Sequence, residues 1–194
     1  MKQERLDQLS TQGHFNVSQE TLDKFNNIHA MSTKHYGPMW YSLFLSIAGQ
    51  YPVRVDLTNK EHQQIVDAFK CMLTGLQFTL PCKFCRASFT QFLTELPIDK
   101  FTDTRVNMMM WLYLMKDKVN TKLIQQEEEY LQKILQRLGR GEITRTEYKQ
   151  QRDLCFKTKP TPPFEEVLEY YSQFSATCSK DIKKCVSNNY QLKF

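Results

Sequence analysis

Leu76-Gln77-Phe78-Thr79-Leu80-Pro81-Cys82-Lys83-Phe84-Cys85-Arg86-Ala87-Ser88-Phe89-Thr90-Gln91-Phe92-Leu93 is the stretch on which the fold turns. It joins two helical patterns at a proline. Upstream, Ile65, Ala68, Phe69, Met72, Leu73 and Leu76 recur at helical spacing and predict an amphipathic helix running to about Thr79. Thr58-x-x-Glu61 stands before it as a capping box. Downstream, Pro81 opens a third helix with Cys82 and Cys85 in its first turn, followed by Phe89, Phe92 and Leu93, until Pro97 ends it. No alternating strand pattern flanks the two cysteines.

The same periodicity extends outward. Tyr36-Gly37-Pro38 predicts a helix start, with Met39, Trp40, Leu43, Phe44, Ile47 and Ala48 at helical spacing up to Gly49 and Pro52. Asp103 or Thr104 caps a fourth helix whose Val106, Met109, Met110, Trp111, Leu114 and Val119 wrap much of its circumference, so it should be the buried one. Residues 124–158 are densely charged. Ile124, Leu131, Ile134, Leu135 and Leu138 make one narrow stripe ending at Gly139, and Thr144-x-x-Glu147 opens a short helix towards Cys155. Lys159, Pro160, Pro162 and Pro163 stiffen a connector to a last helix bearing Phe164, Val167, Leu168 and Tyr171. Residues 1–33 read as a polar N-terminal extension with one weak helix, and residues 175–194 as a tail patterned only by Cys178 and Cys185.

Composition bounds the function. The chain has 194 residues, 41% of them apolar, with only 6 Gly and 7 Pro, which suits one helical domain with appendages. Mean hydropathy is −0.54 and no apolar run is of membrane-spanning length, so no membrane insertion is expected. The 26 basic and 21 acidic residues leave +5, scattered without a basic block, so no nucleic-acid partner is expected either. The first residues carry no apolar core of a leader, and no secretion signal is expected.

Of the six cysteines, only Cys82 and Cys85 form a CxxC. Three chemistries suit it. Structural zinc would want a second CxxC or paired histidines, and His14, His29, His35 and His62 stand at no such spacing. A thioredoxin-like centre would want a βαβ context. A redox pair on a helical scaffold needs neither. At a helix start, free N–H groups and the dipole favour a thiolate, and Lys83 and Arg86 add positive charge. A buried structural pair of thiols remains the plainer alternative on spacing alone.

Three blocks of the chain together resemble the Erv/ALR family of FAD-dependent sulfhydryl oxidases. Gly37-Pro38-Met39-Trp40 with Leu43, Ala48 and Tyr51-Pro52 is similar to the family's first motif, which runs from Gly and Trp to Tyr-Pro. Phe78-x-Leu80-Pro81-Cys82-Lys83-Phe84-Cys85 looks like its redox segment. Trp111-Leu112 followed by Asp117-Lys118-Val119-Asn120-Thr121-Lys122-Leu123 is similar to its third motif. Lys159 to Tyr171 looks more faintly like the segment leading into the family's last helix. Three departures stand out. Phe44 replaces the family's histidine after Trp, Lys116-Asp117 replaces its His-Asn, and Tyr113 replaces a cysteine of its long-range disulfide.

The resemblance implies an all-α fold: a four-to-five-helix bundle enclosing FAD over residues 34–174, with 124–158 as an inserted helical hairpin and 175–194 as a C-terminal tail. It implies disulfide formation in thiol-containing protein substrates, with O2 as acceptor and hydrogen peroxide as product. By the same analogy Cys82 is the exposed partner in exchange and Cys85 faces the flavin. Trp40 borders the cofactor, and Asn120 and Lys122 meet its nucleotide portion. Gly37, Phe44, Lys116 and Asp117 occupy the family's flavin-contact positions, and Tyr51 and Tyr171 are aromatic candidates for the same pocket. No metal is expected. Cys178 and Cys185 are expected to form either a shuttle or a structural disulfide. A homodimer is the expected assembly. Single-domain forms of this kind resemble those of large DNA viruses, which would place the protein in the host cytoplasm or the virion; the mitochondrial intermembrane space is the cellular alternative.

Overall fold

A computed structural model describes residues 18–28, 33–155, 158–179 and 184–187. Eight α-helices follow one another among these residues: α1 (Gln19–Asn26), α2 (Thr33–Ala48), α3 (Lys60–Thr74), α4 (Leu76–Thr79), α5 (Lys83–Glu95), α6 (Arg105–Gly139), α7 (Arg145–Asp153) and α8 (Phe164–Ser172). A 3-10 turn at Ile98–Phe101 precedes α6, and two short strands, β1 (Ala176–Ser179) and β2 (Lys184–Ser187), follow α8. The bundle is helical throughout, and the strands form only an antiparallel hairpin in the tail.

The core lies between α2, α3, α4, α5 and the first half of α6. Phe44, Leu45 and Ala48 from α2 meet Val66, Phe69 and Leu73 from α3, Phe89 and Phe92 from α5, and Met108, Trp111, Leu112 and Met115 from α6. Each such side chain taken out of water contributes roughly 1.5–3 kcal/mol before entropic costs. Trp111 is 1% exposed and donates its indole N–H to the Leu96 carbonyl at 2.9 Å, which fixes α6 against the end of α5. Phe164, Val167, Leu168 and Tyr171 of α8 lean on the same core from outside.

Several boundaries differ from the sequence reading, each for a local reason. Pro38 sits inside α2 instead of at its first position, because the helix already begins at Thr33. Asn59 caps α3 in place of Thr58. Its Oδ1 accepts the Glu61 N–H at 2.9 Å, while the Thr58 hydroxyl is spent on Asp56 Oδ1 at 2.7 Å. The helix expected to reach Thr79 is interrupted at Gly75, which separates α3 from α4. Cys82 is the N-cap residue of α5, so the helix proper starts at Lys83 and only Cys85 lies in its first turn. Thr104 caps α6 and the Thr144–Glu147 capping box opens α7, as the sequence indicates.

The charged segment is built on α6 itself. The helix continues without a break through Leu123 to Gly139, then turns back as α7. Gly141, at φ 73°, makes the left-handed turn that lets the chain reverse. Ile134 and Ile143 are buried on this arm yet belong to no part of the main core, so the arm carries its own small apolar contact.

Candidate active site

The site begins where α5 begins. Pro81 and the extended backbone of Cys82 (φ −97°, ψ 122°) leave the first N–H groups of α5 without a side-chain cap, those of Phe84 and Cys85 near the Cys82 sulfur. Both Cys82 and Cys85 are free thiols and half-buried, and Cys85 is the one packed against the core. Burial disfavours charge at Cys82. It is outweighed by a hydrogen bond from the Cys85 thiol, backbone N–H groups of Cys85 and Phe84, and the Arg86 charge, so the Cys82 thiol sits below the ordinary cysteine value. Burial, then the hydrogen bond to Cys82, pushes Cys85 the other way, partly opposed by Tyr36 and Lys122. The pair is thus polarised, with Cys82 the readier nucleophile. Outside it, Phe84 and Phe78 are 70% and 76% exposed.

Opposite this helix start, α2 presents aromatic rings. Tyr36, Trp40 and Phe44 follow at four-residue steps and share one face. The Tyr36 hydroxyl donates to Cys85 Sγ at 3.6 Å. Trp40 is half-buried and meets Phe44 edge-on at 4.6 Å between centroids. Tyr41 lies close enough to Cys85 to feel its charge, and burial holds its phenol well above the ordinary range. From α6, the Lys116 ammonium stands 4.5 Å over the Tyr41 ring. Burial lowers its pKa. Lys122 donates to the Ser88 hydroxyl, one turn beyond Cys85 on α5, and its charge reaches Cys85.

The sequence-predicted residues therefore divide. Cys82, Cys85 and Lys122 converge, and Trp40 and Lys116 stand beside that group. Gly37 is half-buried next to Tyr36, and Asp117 is half-buried next to Lys116. Asn120 turns towards the connector, donating to the Thr161 hydroxyl at 3.0 Å. Phe44 is a core side chain, 7% exposed. Tyr51 is fully buried elsewhere. It meets Phe69 edge-on, donates to the Thr102 carbonyl at 2.7 Å, and has its phenol pushed up to about 12 by burial and Asp103. Tyr171 lies beside Ser42 and lines a separate cleft of about 500 Å³ with Leu45, Met109 and Leu168. Tyr36, Tyr41 and Ser88 were not singled out from the sequence. The four-residue step from Trp40 back to Tyr36 was the available signal.

A sequence model of the Erv1 / Alr family matches residues 38–138, just over half of the chain. The chain belongs to the Erv1/Alr family. Erv1/Alr proteins are flavin-linked sulfhydryl oxidases, so this member is an oxidoreductase of the thiol-oxidising kind. Among solved structures, the yeast Erv1 core is similar at 21% identity, over 57% of this chain and 83% of that one, with a TM-score of 0.42. No curated protein matches. No helix among the described residues is long and apolar enough to cross a membrane. Among the same residues no three His, Cys, Asp or Glu side chains are grouped to hold a metal.

The residues present fit the Erv1/Alr flavin. A planar ring system carrying a pyrophosphate needs flat apolar faces beside fixed positive charge. Trp40, Tyr36 and Tyr41 supply the first, and Lys116 and Lys122 the second. The Lys116 ammonium is held half-buried over a ring, where an anionic ligand would offset its desolvation.

Proposed function

We propose that this Erv1/Alr member is an FAD-dependent oxidase of protein dithiols, with Cys82 and Cys85 as its redox pair. The observation that carries the reading is the polarised pair at the start of α5, flanked by the aromatic face of α2 and the lysines of α6. Trp40, Lys116 and Lys122 would hold the cofactor, with Gly37, Asp117 and Asn120 at the margins. When bound, FAD supplies the electron acceptor that returns the pair to its disulfide and passes the electrons to O2, giving hydrogen peroxide.

The chain's own chemistry is thiol–disulfide exchange. A substrate thiolate attacks Cys82 Sγ of the Cys82–Cys85 disulfide. The bond between the cysteines breaks, the new S–S bond joins substrate to Cys82, and the electron pair leaves on Cys85. The second substrate thiolate then attacks the substrate sulfur of the mixed disulfide and expels Cys82. The substrate departs oxidised and the pair is a dithiol. The N–H groups at the start of α5 and the Arg86 charge stabilise the Cys82 thiolate as it is expelled. The expected homodimer has apolar surface to bury on α2, where Met39 and Leu43 are each 55% exposed.

The test is oxygen consumption with dithiothreitol by purified protein, alongside flavin absorbance near ~450 nm. Cys82→Ser and Cys85→Ser should each abolish turnover and keep the yellow colour. Wild-type turnover in either variant, or a colourless wild-type protein, would overturn the assignment.

A further inference from the structure

Cys85 is expelled in the first exchange step, and what stabilises it there decides how easily the disulfide opens. The groups that face it come from three elements. Cys82 faces it from the start of its own helix, Tyr36 and Tyr41 from α2, and Lys122 from α6. Among the described residues, only Tyr36 makes a direct hydrogen bond to the Cys85 sulfur from another helix, at 3.6 Å, within the range of a sulfur acceptor.

We infer that the Tyr36 hydroxyl is the hydrogen-bond donor that stabilises the Cys85 thiolate as Cys85 leaves the disulfide. This rests on the reading of Cys82 and Cys85 as the redox pair. The phenol is placed for the task from both sides. The Cys82 backbone N–H lies on its other side, and the phenol's own proton is directed to Cys85. Its ring packs half-buried against the core, so the oxygen is held at a fixed distance from α5. Burial, with Cys85 next, keeps the phenol protonated well above the ordinary tyrosine range, so it remains a donor wherever the thiolate forms.

The bond keeps its partner and only the charge on the Cys85 sulfur changes. In the disulfide state the phenol faces a neutral sulfur, a weak acceptor. When the substrate sulfur bonds to Cys82, the electron pair of the broken S–S bond comes to rest on Cys85. The same O–H then donates to an anion, where hydrogen bonds are about twice as strong. The stabilisation is therefore realised in the expelled state, which is the condition for accelerating the step.

The experiment isolates Cys85 in a Cys82→Ser background and follows its alkylation by iodoacetamide against pH, read on the Cys85 peptide by mass spectrometry. Tyr36→Phe keeps the ring and removes the donor. The Cys85 profile should move to higher pH by about one unit, so alkylation below both midpoints falls about tenfold. Coincident profiles would overturn the inference. So would a shift confined to Cys82 in the Cys85→Ser background. Should Tyr36→Phe fail to fold, 3-fluorotyrosine at residue 36, a more acidic donor, should move the profile to lower pH, and an unmoved profile would overturn it equally. The profile is read without turnover, so a protein that left dithiothreitol unoxidised would count against the oxidase reading alone.

Discussion

Asn120 donates its side-chain amide to the Thr161 hydroxyl at 3.0 Å, across a sequence separation of 41 residues. Tyr113 reinforces this closure by donating to the Pro162 carbonyl at 3.0 Å. The charged arm therefore leaves the bundle and returns to it at one place. Its buried residues, Ile134 and Ile143, lie outside the main core. Excising residues 124–158 and joining Leu123 to Lys159 through a short linker should leave a folded protein that retains FAD. Absorbance of the purified deletion checks this. A soluble, helical deletion without flavin would mean that the arm builds the pocket.

Tyr51 separates packing from cofactor binding. Its hydroxyl is satisfied by Thr102, and Arg105 Nε donates to its carbonyl at 2.6 Å, tying the loop after α2 to the start of α6. Tyr51→Phe should cost about 1 kcal/mol in urea unfolding, the ordinary worth of one hydrogen bond. Flavin content should be unchanged. Loss of flavin at full stability would reinstate Tyr51 in the pocket.

Lys116 should show a trade between stability and binding. Burial lowers its pKa from 10.5, so the charged form is less favourable in the fold than in the unfolded chain. Lys116→Met removes that charge and keeps the stem over Tyr41. At neutral pH the flavin-free variant should melt a few degrees higher, about 2–4 °C for each kcal/mol gained. FAD should bind more weakly. The gain in melting temperature should shrink as pH rises towards 10.5, where the unfolded lysine also loses its proton. A lower melting temperature with unchanged flavin affinity would show that the lysine serves packing alone.

Cys178 and Cys185 are register partners across the terminal hairpin. Residues directly opposite on antiparallel strands have Cα atoms about 4.5–5.5 Å apart, inside the span a disulfide requires. The expected state is a cross-strand disulfide that pins the tail. In the Cys178→Ser/Cys185→Ser protein the melting temperature should fall, and turnover of both dithiothreitol and a reduced protein should persist. If turnover of the reduced protein falls and that of dithiothreitol does not, the pair is a shuttle.

The bundle was legible because its signals are local. Apolar spacing marked α3, α5, α6 and α8, and the Thr104 and Thr144 caps were readable as residue types in order. The boundaries that shifted were settled by competition between neighbours. Thr58 and Asn59 can both cap a helix, and Asp56 decided between them by engaging Thr58. The continuity of α6 was hidden because its stripe changes partner near Leu123. The buried residues before that point serve the bundle, and Ile134 after it serves the arm. A change of partner leaves no break in helical backbone for periodicity to report.

Most of the helical segments, the pair of cysteines at a helix start and the family motifs are readable in the amino-acid order, since each is written in residues within one or two turns of one another. That Tyr36 meets Cys85 across 49 residues, that Tyr51 belongs to the core, and that the arm closes at Asn120 and Thr161 came from the packing of the helices. Those contacts depend on how helix faces are rotated against each other. That rotation is fixed by the summed burial of Phe44, Trp111, Met115 and their neighbours, not by any segment alone.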